Sequence, residues 1–158
     1  LAQAVDAAAA EGHQVRTPTA AELAPLLPMV IERLPRLDAI GPMLDFVFIE
    51  DLEFDPAMLV PKRWDPATTV TGLAVAARVV EELGPAGFQP DTPEPPMRAL
   101  CEEHAWKVGD LFMAVRVAIT GRKATPPLFD VLVAIGYETT LDRLKTAGEL
   151  AAAIPSEE

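Results

Sequence analysis

Asparagine is absent from the 158 residues, and serine occurs once, at Ser156. Cysteine also occurs once, at Cys101, which excludes an internal disulfide and suits a reducing, cytoplasmic compartment. Aromatic residues make up 6% of the chain, so a core has to be built from aliphatic and alanine side chains. No run of about 18 apolar residues occurs, which leaves no candidate for a membrane-spanning helix. The first residues carry no basic cluster, unlike a signal or transit peptide. Neither G-x-G-x-x-G nor G-x-x-x-x-G-K is present, so no phosphate-cradling loop announces a nucleotide site. Basic residues number 13 against 24 acidic ones. The net charge of −11 opposes non-specific binding to DNA or any other phosphate backbone.

What is present is a half-apolar chain with 16 prolines and an uneven charge distribution. Residues 1–60 hold ten acidic and three basic groups, a net of −7. Residues 107–123 hold Lys107, Arg116, Arg122 and Lys123 against Asp110, a net of +3, so a polyanion should meet the second half of the chain first.

Helix start and stop signals recur along the chain. Residues 1–11 form an alanine-rich run closed by Gly12. Thr19 and Glu22 spell a capping box, and Pro25 and Pro28 should bend or delay the helix that follows. Asp38 is a cap candidate for a helix through Phe48, and residues 49–55 read as an acidic turn. Asp65-Pro66 predicts a helix that stops at Gly84-Pro85. Residues 84–96 are a proline-rich connector. Further helices are expected over 97–105 and 111–120, then after Thr125-Pro126 up to Gly136, and finally from Thr139 or Thr140 to about residue 154. No convincing alternating strand appears. The expected fold is all-α, a two-lobed helical bundle with lobes at 1–88 and 89–158.

Catalytic chemistry finds few parts. Ser156 sits in the terminal tail, and Cys101 and His104 are only two of the four ligands a metal site needs. The chain by itself is therefore not expected to be an enzyme or to hold a cofactor or metal. The positive segment is more suggestive. Arg116 lies among apolar neighbours in LFMAVRVAIT, where a charge demands a hydrogen-bonding or anionic partner. Next comes TGRKATPPLF, which ends one helix and begins another. A helix start near Pro126, the Thr125 hydroxyl and the apolar surfaces of Pro126, Leu128 and Phe129 are, with an arginine fork, parts that read unstacked bases of single-stranded RNA. The same parts also make an ordinary capped helix with a buried phenylalanine.

Residues 107–144, KVGDLFMAVRVAITGRKATPPLFDVLVAIGYETTLDRL, closely resemble the end of bacterial glutamyl-tRNA synthetases. The family pattern is roughly K-x-G-x-L-F-x-P-L-R-x-A-L-T-G-x-x-x-[ST]-P-x-L-F-E-x-L-x-x-L-G followed by R-L. Ala114 stands at its proline and Asp130 at its glutamate. VIERLPRLDAI and FVFIED resemble the family's E-R-x-x-x-L and F-x-F segments more loosely. The H-I-G-H and K-M-S-K-S signatures of the family's catalytic domain do not occur in this sequence, and the chain starts at Leu1 instead of Met.

The resemblance therefore implies an anticodon-binding part of a class I ligase, with ATP and magnesium used by a catalytic domain elsewhere. It implies glutamate tRNA and that catalytic domain as partners, with no DNA and no membrane. The anticodon-binding lobe would be 89–158. Carried over position by position, it assigns anticodon contacts to Arg116, Thr125, Pro126, Leu128 and Phe129, to Arg98 by spacing, and to Arg33 at the third anticodon base. Arg122 and Lys123 are phosphate contacts or solvated, and Trp64 and Trp106 are core anchors. The competing function is a helical interaction module that keeps the fold without binding tRNA, a reading to which the acidic charge lends weight.

Overall fold

The computed structural model describes residues 2–32 and 40–155. In chain order the helices are α1 (Ala2–Ala10), α2 (Ala20–Leu23), α3 (Leu27–Ile31), α4 (Ile40–Phe48), α5 (Pro66–Gly87), α6 (Glu94–Glu103), α7 (Val108–Thr120), α8 (Leu128–Ile135) and α9 (Tyr137–Ala152), with a 3-10 turn at Pro56–Leu59 between α4 and α5. The all-α class holds. Among the described residues the only extended pairing is an isolated antiparallel bridge between Val15 and Ile49. It ties the segment after α1 to the end of α4, through Arg16 N–H to the Phe48 carbonyl (2.8 Å) and Glu50 N–H to the Gln14 carbonyl (2.7 Å).

Local chemistry accounts for most boundaries. The Thr19 hydroxyl accepts from the Glu22 N–H while the Glu22 carboxylate accepts from the Thr19 N–H, closing the capping box that starts α2. Pro28 sits in the first turn of α3, so one predicted helix is split into α2 and α3. Asp65 caps α5 through the Thr68 N–H at 2.7 Å, ahead of Pro66. The long straight part of α5 ends where Gly84 takes φ +65°, and only a turn follows to Gly87. Gly121 closes α7 at φ +69° with its N–H on the Val117 carbonyl. Asp38 lies outside the described residues.

Two caps differ from expectation. Helix α8 begins at Leu128 after Pro127 with no side-chain cap, because the Thr125 hydroxyl is engaged elsewhere. Helix α9 begins at Tyr137 directly after Gly136. Thr140 is buried inside it, and its hydroxyl donates to the Leu132 carbonyl of α8 (3.1 Å), so it joins helices instead of capping one.

One cluster of buried side chains runs from Leu23 to Ala151. Its most extensive helix pairing is α5 along α9, which crosses the division between residues 88 and 89. Trp64 and Trp106 pack on this cluster with ring centroids 4.9 Å apart, as anchors. Among the described residues no helix is long and apolar enough to cross a membrane.

Candidate nucleic-acid interface

Helix α7 puts one face into the core through Leu111, Ala114, Val115, Ala118 and Ile119. Arg116 falls at the edge of that face and is half-buried. Its Nε donates to the Thr125 hydroxyl at 3.1 Å, and that hydroxyl donates to the Pro126 carbonyl at 2.8 Å. The side chain is thus anchored by Nε across the loop joining α7 to α8. Among the described residues it has no carboxylate partner and no hydrogen bond from either Nη. No fully buried side-chain nitrogen or oxygen there is left without a partner, so neither Nη is both fully buried and unpaired. Burial pushes the guanidinium below the usual arginine range, as expected where no anion compensates desolvation.

The loop is held from within. The Thr120 hydroxyl donates to the Arg116 carbonyl (2.6 Å) and accepts from the Arg122 N–H (3.1 Å). Pro126, Leu128 and Phe129 are buried. The apolar platform expected of them is not presented to solvent, because Phe129 turns inward and meets Phe112 edge-on, with centroids 5.1 Å apart. Phe112 is half-buried, and the Arg98 guanidinium lies over its ring, 5.4 Å from the centroid. Arg98 is exposed on α6 and also pairs with Glu94 at 2.7 Å. The fold therefore joins Arg116 to Thr125, Phe129 to Phe112 and Phe112 to Arg98, while Pro126 and Leu128 are buried in the intervening segment. Phe112, which joins Phe129 to Arg98, was not among the candidates read from the sequence. Its signal was its place four residues before Arg116, one turn away on α7.

Other expected residues stand elsewhere. Arg33 lies outside the described residues. Arg122 is not simply solvated, because it pairs with Asp45 of α4 and lies over the Phe46 ring at 5.8 Å. Lys123 is exposed. Cys101 is buried, which pushes its thiol up, and His104 stacks on Trp106 at 4.2 Å. Among the described residues no three His, Cys, Asp or Glu side chains converge as a metal site.

Arg143 on α9, the arginine of the pattern's closing R-L, was given no role by the sequence. It donates to the carbonyls of Phe46 and Ile119 (both 2.7 Å) and of Ile49 (2.8 Å). A cavity of about 340 Å³ opens beside it, lined among others by Arg16, Glu50, Phe54 and Asp142.

Comparison with known proteins gives this arrangement a family. A family model described as an anticodon binding domain matches residues 1–148. A glutamate–tRNA ligase of Roseiflexus sp. (strain RS-1) is 46% identical over 127 residues, covering 80% of this chain and 25% of that protein. The glutamate–tRNA ligase of Roseiflexus castenholzii is 43% identical over 137 residues, covering 87% and 27%. A crystal structure of a glutamate tRNA ligase from Elizabethkingia meningosepticum, in complex with its amino acid, superposes with a TM-score of 0.74 at 20% identity, over 94% of this chain and 28% of that one, which speaks to the fold. The chain spans about a quarter of the length of the relatives it matches. With its capped helices, its single core and its match over residues 1–148, the chain belongs to the anticodon-binding domain family, in the form found in glutamate–tRNA ligases.

Proposed function

We propose that this chain reads the anticodon of glutamate tRNA for a cytoplasmic protein whose catalytic part attaches glutamate to that tRNA with ATP and magnesium. The observation that carries the reading is Arg116. Its Nε is fixed on Thr125, and among the described residues neither Nη has a hydrogen-bond or carboxylate partner. A guanidinium held this way presents two parallel N–H donors, which match adjacent acceptors on the edge of an unstacked base. Pro126, Leu128 and Phe129 brace the loop from below. Phe112 with Arg98 above it offers a partly open aromatic surface for a neighbouring base. Arg33, which the resemblance assigns to the third anticodon base, completes the set.

The net charge of −11 is compatible with this role if affinity comes from a few base contacts and not from a broad phosphate footprint. The test is binding of a glutamate tRNA transcript to the full chain before and after Arg116→Ala. Loss of one such base contact is expected to weaken binding by about 1–3 kcal/mol, with little change in melting temperature. Unchanged affinity per folded molecule would place Arg116 among purely structural residues and favour an interaction module without tRNA binding.

A further inference from the structure

Two helix C-termini meet beneath the Arg116 loop. Helix α4 ends with the Phe46 and Ile49 carbonyls directed at α9, and α7 ends with the Ile119 carbonyl directed at the same place. Terminal carbonyls have no partner within their own helix, and each helix end carries roughly half a negative charge. Bringing two such ends together in a poorly solvated spot is unfavourable unless a cation separates them. Arg143 supplies it: Nη1 bonds both Phe46 and Ile119, and Nη2 bonds Ile49. Burial and the nearby Arg16 push its guanidinium down to about 10, opposed by Glu50, so it remains protonated at neutral pH.

A second tie lies on the other side of the same junction. Arg122, in the α7–α8 loop, pairs with Asp45 and covers Phe46, both on α4. Its N–H reaches the Thr120 hydroxyl, which donates to the carbonyl of Arg116 itself. The backbone of Arg116 is thus linked through two hydrogen bonds and an ion pair to α4.

We propose that Arg143, assisted by Arg122, is a positioning residue for tRNA reading: it locks the end of α7 to the end of α4 and thereby sets the direction of the Arg116 fork. This rests on the reading of Arg116 given above. A recognition group has to be held within about 0.5 Å of its productive place, and three bonds to two helices from one planar fork meet that demand. Lysine keeps the charge but cannot span the three carbonyls in this geometry.

A double-mutant cycle tests the proposal. Binding of a glutamate tRNA transcript is measured for the full chain with Arg143→Lys, with Arg116→Ala and with both, at a temperature where circular dichroism shows every variant folded. Arg143→Lys is expected to weaken binding about ten-fold when Arg116 is present and less than about two-fold when it is not. Equal losses in both backgrounds, or none, would overturn the positioning role, since a residue that merely supports the core acts additively. If Arg116→Ala alone leaves binding unchanged, the reading of Arg116 fails and the positioning role falls with it. Should Arg143→Lys not fold, the same cycle is run with Arg122→Gln. Coupling to Arg116 supports the lock, and additivity overturns it.

Discussion

A single arginine can be charged, half-buried and without an acid only if something neutral takes part of its hydrogen bonding. For Arg116 that partner is Thr125, nine residues on, and among the described residues neither Nη is hydrogen-bonded. The resemblance assigns Arg33 to the third anticodon base, where the chemistry of the two bases differs. Glutamate and glutamine anticodons differ at the third base, C against G. The cytosine edge offers the acceptors N3 and O2, whereas the guanine edge presents donors at N1 and N2. Arginine carries only donors, so guanine would oppose it, and each unmatched buried donor costs about 1–3 kcal/mol. Arg33→Gln in the full-length protein is expected to narrow the preference for the glutamate tRNA over the glutamine tRNA by about ten-fold or more, because an amide can turn its carbonyl to guanine. The ratio of kcat/KM for charging the two tRNAs checks this, and an unchanged ratio removes Arg33 from the site.

At the scale of elements, close packing and caps decide stability. Gly72 on α5 is buried under Trp64, and a Cβ there would sit 2.6 Å from one ring carbon and 2.8 Å from another. Trp64 is held against Trp106, so the ring has little room to retreat. Gly72→Ala should therefore destabilise the fold by about 1–3 kcal/mol despite the better helix propensity of alanine. A lower urea midpoint with altered tryptophan fluorescence is the expected outcome. The cap of α5 gives a pH signature. Thr68, through its side chain and its N–H, holds the Asp65 carboxyl below its ordinary value of 3.8. The unfolded chain then binds this proton more readily than the folded one. The cap's contribution is complete above about pH 4 and is lost as pH falls through the lower folded value. Asp65→Ala is expected to melt lower at neutral pH and to lose less stability on acidification, measured by thermal melts between pH 6 and 3.

On the scale of the whole molecule, the packing of α5 along α9 and the single buried cluster predict one cooperative unfolding transition, although the proline-rich connector lies between them. Coincident urea transitions by tryptophan fluorescence and far-ultraviolet circular dichroism would bear this out. Two separated transitions would mean that the segments before and after residue 88 unfold independently.

Much of this architecture was legible because it is local. The Thr19–Glu22 box, the Asp65-Pro66 start, and the stops at Gly84 and Gly121 act within one turn of backbone, where neighbouring residues decide the outcome. Arg116 was legible too, as a charge in an apolar helix. Other features required the assembled fold. Thr125 and Thr140 read as caps by residue type, yet each found a partner on another element, Arg116 for one and the Leu132 carbonyl for the other. Leu128 and Phe129 read as a platform because an apolar side chain after a loop suits an exposed or a buried place equally well, and the assembled core took both in, with Phe129 edge-on to Phe112. Arg143 carried two signs, the closing R-L of the family pattern and its place four residues before Ala147 and seven before Leu150 on the packed face of α9, but neither names its acceptors. Its three acceptors lie 24 to 97 residues away in the chain. The sequence by itself thus determined the starts and stops that local caps and glycines set, and which arginine is unusual, since those follow from short-range backbone chemistry. Only the tertiary structure decided which helix ends meet and which cation joins them, because those contacts depend on how the whole core closes.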